Sequence, residues 1–523
     1  MSTLRKYVAL LLSALLVCAL FAGCGGGEQT PAEDQPKELV IIIGGVPKLI
    51  DPCKYSSTYE SYIVYNTCNT LVSYSSDLTE IVPCLGELKS ISEDGMCYTF
   101  TIRDDVYFQP GKFQDGRKMT AEDVKYSLER SAKESALDRL TMLDHCEVIS
   151  DTEIECYLKT PDATFLTFLT DTGNSIVPKE EVEGQGDAFA QNVVGTGPYM
   201  VKEFIPDQEV VLVKNENYWA QEPALDKVTF RVITDNNQAV NSLLAGESHI
   251  ALNLGGEALN VAKEAKNLTL MEAPQLGFTY LSFNMENGIT SDIRVRQALS
   301  MAIDVDELIA GMYPFTSVTK NYLPVPAGSW GYSDDLLEYV PKFDPEAARE
   351  LLKGTEYENG FEVNFYHSNT DTRVKMATIL QEQLKKNLNV DVIDHVSDFA
   401  TFTEITQAGN ADMGTVDWSW FADPYFFLNS FFHSDALGTL GGGSRMNLPE
   451  VDALLDKAAL NGTVEERKEI YHDAIKLILE QYPGLYFVST NISWAVADNV
   501  EGVVIRPDGI LLLCMPDVNV SLK

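Results

Sequence analysis

Stretches typical of strands and of helices alternate along the chain from residue 38 onward, which restricts the fold to a mixed α/β class with several lobes. "ELVIIIGG" (38–45) predicts a buried strand that ends at glycines. "CYTFTIRDDVYF" (97–108) alternates apolar and polar residues, as a half-buried strand does. "MTAEDVKYSLERSA" (119–132) and "TVEERKEIYHDAIKLILEQYPG" (463–484) each begin like a capping box and predict helices.

The N-terminus predicts export from the cytoplasm. Arg5 and Lys6 precede an apolar run over 7–22, and the small residues of "FAGC" lead to Cys24. We interpret residues 1–23 as a signal peptide and Cys24 as the lipid-bearing first residue of a lipoprotein. A transmembrane anchor is the alternative, but the run falls short of the ~20 residues that a membrane helix needs.

The residues after Cys24 are rich in glycine, proline and acidic side chains. "GGGEQTPAEDQPK" (25–37) contains almost nothing apolar. Such a composition predicts a flexible tether rather than part of a core. We therefore expect residues 24–37 to hold a soluble body to the outer face of the cell membrane, on the periplasmic side where an outer membrane exists.

The net charge argues against two classes of partner. The chain contains 39 Lys and Arg residues against 77 Asp and Glu residues, a formal net charge of −38. A surface this acidic disfavours binding to nucleic acid or to anionic lipid through general electrostatics. With 45% hydrophobic residues, the body is large enough for more than one domain.

Cysteines are concentrated in the first third of the body. Cys146 and Cys156 flank a predicted hairpin, "CEVISDTEIEC" with its turn at 150–152, and could face each other. Outside the cytosol disulfides are possible, but all the thiols could equally remain reduced. Besides Cys18 and Cys24 there are seven cysteines, so at least one is free in a monomer. No CxxC motif supports a zinc or redox site.

"DWSWFADPYFFL" (417–428) combines many aromatic residues with two carboxylates, Asp417 and Asp423. A surface loop of this composition would expose much apolar area, and a plain core would not contain the acids. Aromatic walls that exclude water around a fixed negative charge are typical of a site for a cationic group.

Several motifs in a fixed order resemble the peptide-type substrate-binding proteins of ABC importers, solute-binding family 5. Each motif alone is weak, but together they cover nearly the whole chain. The motifs are "FQDGRKMTAEDVKYSLER" (113–130), "VGTGPYMVKEF" (194–204), "NENYW" (215–219), "YLSFNM…DIRVRQALSMAID" (280–304), "FDPEAARELL" (343–352) and "NLPEVDALLDKA" (447–458).

The resemblance implies a two-lobed clamshell with an extra inserted domain. Lobe I would combine residues 38–57, 180–285 and 490–523. The inserted domain II would span 58–179, and lobe III would span 286–489. A small peptide would bind between the lobes without any cofactor, and the monomeric closed form would dock on a membrane permease.

The resemblance also implies cleft residues in the loop after the first strand. Gly45, Val46 and Pro47 match positions at which relatives bond to the peptide backbone. The same residues equally fit a turn that Gly and Pro impose.

Three further residues match ligand-contacting positions of relatives. His367 and Arg373 lie close to positions that meet the ligand's carboxylate or side chains, and the planar fork of Arg suits a carboxylate. Arg373 could instead face solvent at a helix start. Phe399 stands where relatives place a Trp against the ligand, or it is a core residue.

In relatives an Asp in the segment matching 417–428 pairs with the peptide's ammonium group. The segment here is shorter by about one residue, so the matching acid is Asp423, Asp417 or absent. We favour Asp423, with Trp418 and Trp420 as walls, although Asp423 could be only the Asp of a structural Asp-Pro pair.

Other functions are weighed against the peptide receptor. A non-peptide solute such as a nickel chelate, a sugar or an opine-like compound fits the same fold, but the six histidines are scattered and predict no metal site. A secreted hydrolase lacks support because neither HExxH nor GxSxG occurs. A structural surface protein gives no reason for an aromatic cleft.

Overall fold

The structure is a computed structural model that describes residues 36–314, 316–460 and 463–523. The predicted signal peptide, Cys24 and most of the tether therefore lie outside the described residues. Glu38–Lys523 forms one compact unit. Within the described ranges no helix is both long and apolar enough to cross a bilayer.

Strands occur throughout this unit. In the first half they are β1 (Glu38–Ile43), β2 (Val72–Tyr74), β3 (Ile81–Pro83), β4 (Gly86–Ile91), β5 (Cys97–Ile102), β6 (Leu143–Ser150), β7 (Glu153–Leu158), β8 (Tyr199–Ile205), β9 (Glu209–Lys214), β10 (Lys227–Val232) and β11 (Ile250–Ala251). In the second half they are β12 (Leu268–Pro274), β13 (Gly277–Phe283), β14 (Val318–Lys320), β15 (Glu362–Ser368), β16 (Asp391–Ser397), β17 (Met413–Ser419), β18 (Gly484–Ala497), β19 (Val500–Glu501), β20 (Cys514–Met515), β21 (Val518–Asn519) and β22 (Ser521–Leu522).

Helices alternate with these strands. They are α1 (Thr58–Thr67), α2 (Ala121–Glu134), α3 (Phe165–Leu169), α4 (Lys179–Gln185), α5 (Asn236–Leu244), α6 (Glu257–Glu264), α7 (Ile293–Ala302), α8 (Val305–Met312), α9 (Pro345–Leu352), α10 (Asp371–Leu388), α11 (Phe399–Gln407), α12 (Tyr425–Phe432), α13 (Pro449–Leu460) and α14 (Val464–Leu479). The predicted mixed α/β class is confirmed.

Strand β1 lies between two parallel neighbours and is buried on both faces. It pairs with β10 on one side and with β11 on the other. Ile41 and Ile43 enter one core, whereas Ile42 enters a different core that contains residues of α5 and α6. Alternation of side chains across the sheet explains why "ELVIIIGG" is continuously apolar.

The longest strand, β18, belongs to both halves of the main sheet. Residues 484–490 pair with β13 and β14, and residues 491–497 pair with β12 and β11. The sheet order is β16-β15-β17-β13-β18-β11-β1-β10-β9-β8. The chain passes between the halves a second time at the short link between β12 and β13.

Separate hydrophobic cores mark the parts of the unit. The first core draws on residues between 39–252 and 492–520, the second on 71–176, and two more on 278–488. Two stretches pack differently from the predicted division. Tyr62 and Ile63 of α1 lie in the first core rather than with domain II, and Phe283 of β13 packs with lobe III. The remaining boundaries stay predictions.

Local sequence signals account for several element boundaries. At α2, Thr120 and Asp123 form the predicted capping box. At α14 the side chain of Thr463 accepts a hydrogen bond from the backbone of Glu466 at 3.3 Å. The predicted strand over 97–108 is shorter in the structure, because β5 ends at Ile102.

The predicted hairpin between Cys146 and Cys156 is confirmed. These residues are direct partners in the β6–β7 ladder, and their sulfur atoms lie 3.6 Å apart. All seven cysteines in the described part of the chain are free thiols.

Candidate functional site

Arg373 and Asp417 form a charge pair where α10 begins and β17 ends. Thr370 caps α10, so Arg373 lies in the first turn of that helix. Nη2 of Arg373 lies 2.9 Å from Oδ2 of Asp417. The hydroxyl of Thr279, on the neighbouring strand β13, donates to Oδ1 of Asp417 at 2.7 Å. A second guanidinium nitrogen of Arg373 donates to the Ser368 hydroxyl.

This pair lines a cavity of about 400 Å³. Trp418, Ser419 and Tyr313 also lie on its wall, and burial raises the pKa of Tyr313 above its ordinary value. The Asp417 side chain is 60% exposed. The buried Nε of Arg373 has no hydrogen-bond partner among the described residues. The cavity thus offers an accessible carboxylate beside a guanidinium that is only 10% exposed.

A second cavity of about 400 Å³ adjoins the first, because Ser419 lines both. One wall comes from lobe III and includes Trp420 and Phe421. Trp420 is 49% exposed and stacks on Phe426 with ring centroids 5.7 Å apart. The other lining residues fall within the ranges predicted for lobe I and domain II. We refer to these two adjoining cavities as the cleft.

The opposite wall of the second cavity contains its own charge pair. Nε of Arg139 lies 3.2 Å from Oδ1 of Asp171, and the Arg139 guanidinium lies over the Tyr55 ring at 4.5 Å. The Tyr55 hydroxyl donates to Asp171 at 3.1 Å. Burial, and then the charge of Asp171, raise the pKa of Tyr55 well above its ordinary value, so Tyr55 stays a neutral donor.

The structure corrects the expectation for Asp423. Both of its carboxylate oxygens accept hydrogen bonds from Arg467, at 2.6 and 2.8 Å, and its side chain is 1% exposed. Burial lowers the pKa of Arg467, but the charge of Asp423 outweighs this effect and the pKa lies above its ordinary value. Asp423 lines neither cavity of the cleft, so the prediction that it meets a ligand's ammonium is wrong for this structure.

The Asp423–Arg467 pair connects two parts of the molecule. Thr167 of domain II donates its hydroxyl to Asp423 at 3.2 Å. The neighbouring Phe168 packs edge-on against Phe421 and Phe426, with ring centroids 5.8 and 5.3 Å away. The second acid of the aromatic stretch therefore has a structural role.

His367 is a core residue and not part of the cleft, which corrects a second expectation. It is fully buried on β15, and Nε2 lies 2.9 Å from a carboxylate oxygen of Asp394. Its Nδ1 lies 2.9 Å from the carbonyl oxygen of Ser368. Phe399 begins α11 and is 54% exposed, so it neither lines the cleft nor belongs to the core.

The loop after β1 is a turn held by hydrogen bonds, and it does not form a wall of the cleft. A Cβ atom on Gly45 would lie 2.2 Å from the Tyr59 ring, so a larger residue there would displace that ring. Pro47 is buried, and neither it nor Val46 lines the cleft. The turn is held by Glu60, whose carboxylate accepts backbone hydrogen bonds from residues 48 and 49.

Sequence reasoning missed the lobe I and domain II wall of the cleft. Tyr55, Arg139, Asp171 and Asp508 are separated by up to hundreds of residues, and no local motif joins them. Among the described residues, no group of three or more His, Cys, Asp or Glu side chains could hold a metal ion.

Comparison with known proteins decides the family. A profile described as "Bacterial extracellular solute-binding proteins, family 5 Middle" matches residues 80–439. The chain belongs to this family. As a family 5 protein of an ABC importer it is an extracytoplasmic solute receptor and not an enzyme.

Two curated relatives illustrate the range of the family. The chain is 27% identical over 510 residues to the dipeptide-binding protein of Escherichia coli (strain K12), covering 91% of this chain and 94% of that protein. It is 29% identical over 471 residues to heme-binding protein A of Haemophilus influenzae, covering 84% and 85%.

Solved structures confirm the predicted two-lobed fold with an inserted domain. HbpA2 from Haemophilus parasuis superposes with a TM-score of 0.86 at 25% identity, covering 93% of this chain and all of that one. DppA from Helicobacter pylori, in complex with the peptide STSA, gives a TM-score of 0.69 at 26% identity, covering 93% and 99%.

Proposed function

We propose that this receptor captures short peptides in the cleft and delivers them to the permease of an ABC importer. The observation that carries the proposal is the Arg373–Asp417 pair, which lines a cavity that shares Ser419 with the aromatic one around Trp420. A free peptide has a carboxylate and an ammonium at its ends. The first cavity offers a partner of opposite charge for either end, but for one end at a time, because Arg373 and Asp417 contact each other at 2.9 Å and an extended peptide separates its ends by more than that.

Arg373 suits the ligand's carboxylate. Its Nη2 is held by Asp417, which fixes the plane of the guanidinium, while its Nε has no partner among the described residues. Because Nε is buried, a ligand carboxylate would bond the guanidinium through Nη2, whose present partner Asp417 is itself exposed in the cavity. Charge-assisted hydrogen bonds of this kind are stronger than neutral ones.

Asp417 suits the ligand's ammonium when the peptide lies in the reverse orientation, with its amino end in the first cavity. Its carboxylate is positioned by Thr279 and Arg373, yet most of the side chain remains exposed in the cavity. Trp418 on the same wall limits access of water to the bound group. Apolar parts of the ligand would lie against Trp420 and Phe421 in the second cavity.

Binding is tested by calorimetry on residues 36–523, refolded from guanidinium to remove bound solute. The probes are alanine tri- and tetrapeptides in free, N-acetylated and C-amidated forms. We expect Arg373→Gln to weaken the free peptides at least about tenfold, because one charged contact is worth about 1.4 kcal/mol or more. The C-amidated peptides should bind the wild type and the variant equally.

Arg294 supplies the matched control. It also begins a helix and pairs with an aspartate, Asp292, but it is exposed and lines neither cavity. Arg294→Gln should leave all affinities unchanged. Equal loss in both variants, or no loss in Arg373→Gln, contradicts the role of Arg373.

A non-peptide solute with a carboxylate is the second candidate. It is favoured by the engagement of Asp423 with Arg467, which removes one of the two acids considered for the ammonium. Relatives with names such as heme-binding protein and glutathione-binding protein show that the family is not confined to plain peptides. Binding of glutathione or heme, with no binding of alanine peptides, selects this candidate.

We also propose that Cys24 is lipidated and that residues 24–37 tether a monomeric receptor to the membrane. The support is the sequence "FAGC" followed by a segment with few apolar residues. Mass spectrometry of the membrane fraction should find acylation at Cys24, and Cys24→Ser should release the protein. An unacylated wild-type protein would contradict the proposal.

A further inference from the structure

A third cavity, of about 330 Å³, extends the cleft towards lobe I and domain II. It shares Tyr65, Tyr74 and Thr170 with the aromatic cavity. Three cavities therefore adjoin in a row. The first contains the Arg373–Asp417 pair, the second the aromatic wall, and the third is described next.

Thiols and apolar groups dominate the wall of the third cavity. Its lining includes Cys68, Cys84, Cys514, Met515, Trp219 and Leu512. We call it the thiol-lined cavity. The three cysteines come from stretches of chain that are far apart in the sequence, so the fold alone brings them to one wall.

The thiols behave as small apolar groups. Burial raises the pKa of Cys68, of Cys84 and of Cys514 to about 12, so each stays protonated and neutral at physiological pH. A neutral buried thiol is neither a good nucleophile nor a good metal ligand. This chemistry favours contact with an apolar group.

Two of the strongest polar groups on the same wall already have partners, whereas the buried hydroxyl of Tyr74 has none among the described residues. The indole N–H of Trp219 donates to the side-chain oxygen of Asn69 at 3.1 Å. The guanidinium of Arg506 is paired with Asp508, to which its Nε donates at 3.1 Å. An incoming charged group would find few unused donors or acceptors there, whereas an apolar group displaces water at little cost.

We propose that the thiol-lined cavity is the subsite for one bulky apolar side chain of the ligand. The inference rests on the proposed function and narrows its substrate class to peptides with a free carboxyl end and an aromatic or large aliphatic residue. The carboxylate lies at Arg373, the chain passes Trp420, and the apolar side chain enters the cavity beyond Tyr65 and Tyr74.

Tetra-alanine and its four variants with a single phenylalanine test this subsite by calorimetry. We expect phenylalanine at one position to raise the affinity about 10- to 100-fold over tetra-alanine, since that is the range for burial of such a side chain. Aspartate at the same position should weaken binding. Equal affinity for all five peptides overturns the subsite and leaves the proposed function standing.

Ser73→Phe fills the cavity from within. Ser73 lies on β2, is half-buried and lines the cavity. We expect this variant to lose the preference for phenylalanine and to keep its affinity for tetra-alanine within about threefold. Ser90→Phe, at an exposed position on β4 in the same domain, is the control and should keep the preference. An equal preference in wild type and Ser73→Phe overturns the subsite.

Two additions keep the test decisive. Cys84→Ser preserves the shape of the cavity but adds a hydroxyl, and should reduce the phenylalanine preference several-fold if Ser73→Phe does not fold. If no peptide binds, 4-phenylbutyrate, which has a carboxylate and a phenyl group, replaces the peptides. Its binding to wild type but not to Ser73→Phe supports the subsite without the peptide function. Its failure to bind overturns both.

Discussion

Asp417 and Asp423 lie six residues apart in one aromatic stretch, and each forms a pair with an arginine from elsewhere in the chain. The surroundings of the two pairs differ. Asp417 is 60% exposed in a cavity and contacts Arg373 through one oxygen at 2.9 Å. Asp423 is buried and contacts Arg467 through both oxygens. The same residue types serve two purposes, and access to solvent decides which purpose each pair has.

The difference follows from the elements that hold each pair. Asp417 is near the end of β17, at an edge where the sheet opens into the cleft. Asp423 stands just before Pro424, the N-cap of α12, and its side chain is buried. There it meets Arg467, which belongs to α14. A half-exposed pair can exchange partners with a ligand, whereas a fully desolvated pair cannot be separated cheaply.

The largest expected effect concerns the buried pair. Asp423→Ala leaves the Arg467 guanidinium buried without its counter-charge, so we expect a loss of about 3–5 kcal/mol in the free energy of unfolding. Urea denaturation followed by tryptophan fluorescence measures it. Asp417→Ala in the same stretch is the comparison: it also leaves a mostly buried guanidinium, that of Arg373, without one partner, but Asp417 is exposed and makes a single contact, so the loss should be smaller, about 1–2 kcal/mol. Similar losses of unfolding free energy in both variants would contradict the distinction between a structural Asp423 pair and an accessible Asp417 pair.

The next effect concerns ligand affinity. Asp417→Ala tests the reverse orientation, in which the ammonium lies in the first cavity: free peptides bound in this way should bind the variant at least about tenfold more weakly, a loss of about 1.4 kcal/mol. N-acetylated peptides have no ammonium and should be unaffected. Calorimetry with both peptide forms checks this. Equal weakening of both forms would mean that Asp417 acts only by orienting Arg373.

A smaller effect is expected at the contact between domain II and the buried pair. Thr167→Val keeps the side-chain volume but removes the hydroxyl that donates to Asp423. We expect a loss of about 1 kcal/mol in the free energy of unfolding, because Asp423 keeps its other partners. Thr403→Val is the control, because Thr403 is a half-buried residue of α11 whose hydroxyl donates only to a carbonyl oxygen of its own helix, that of Phe399. No difference between them would show that the contact contributes nothing to stability.

The smallest expected effect is a pH-dependent change in the free energy of unfolding at Asp162, beside the buried pair. Burial raises the pKa of Asp162, which lies near the buried pair. Its ionised form therefore disfavours the folded state at pH 7, and Asp162→Asn should stabilise by less than about 1 kcal/mol. Below the unfolded pKa of about 3.9 the carboxyl is protonated in both states, and the gain should vanish. Paired denaturation curves at pH 7 and pH 3 check the sign, and a loss at pH 7 would contradict it.

Sequence alone predicted the elements better than the site. Capping residues such as Thr120 and Thr463 act within one turn, and the alternation that opposes Cys146 to Cys156 acts within one hairpin. These signals are local. The resemblance to the family added the two-lobed fold, which depends on contacts across the whole chain.

The site was predicted only in part, because burial is not a local property. Four of the predicted ligand-binding residues do line the cleft, namely Arg373, Asp417, Trp418 and Trp420. Their contact with a ligand stays a prediction. Asp423 was misassigned because its partner, Arg467, follows 44 residues later, and no local pattern in the segment predicts that pairing. His367 was misassigned because it alternates inward on β15, a direction that only the sheet determines.

Strand β18 has a mechanical consequence. Since its first half is hydrogen-bonded into one part of the sheet and its second half into the other, the two parts share one continuous backbone near Thr490. Any rotation that opens or closes the cleft must change the torsion of that strand and of the link between β12 and β13. The stiffness of these two crossings therefore limits how far the two parts of the sheet can rotate relative to each other.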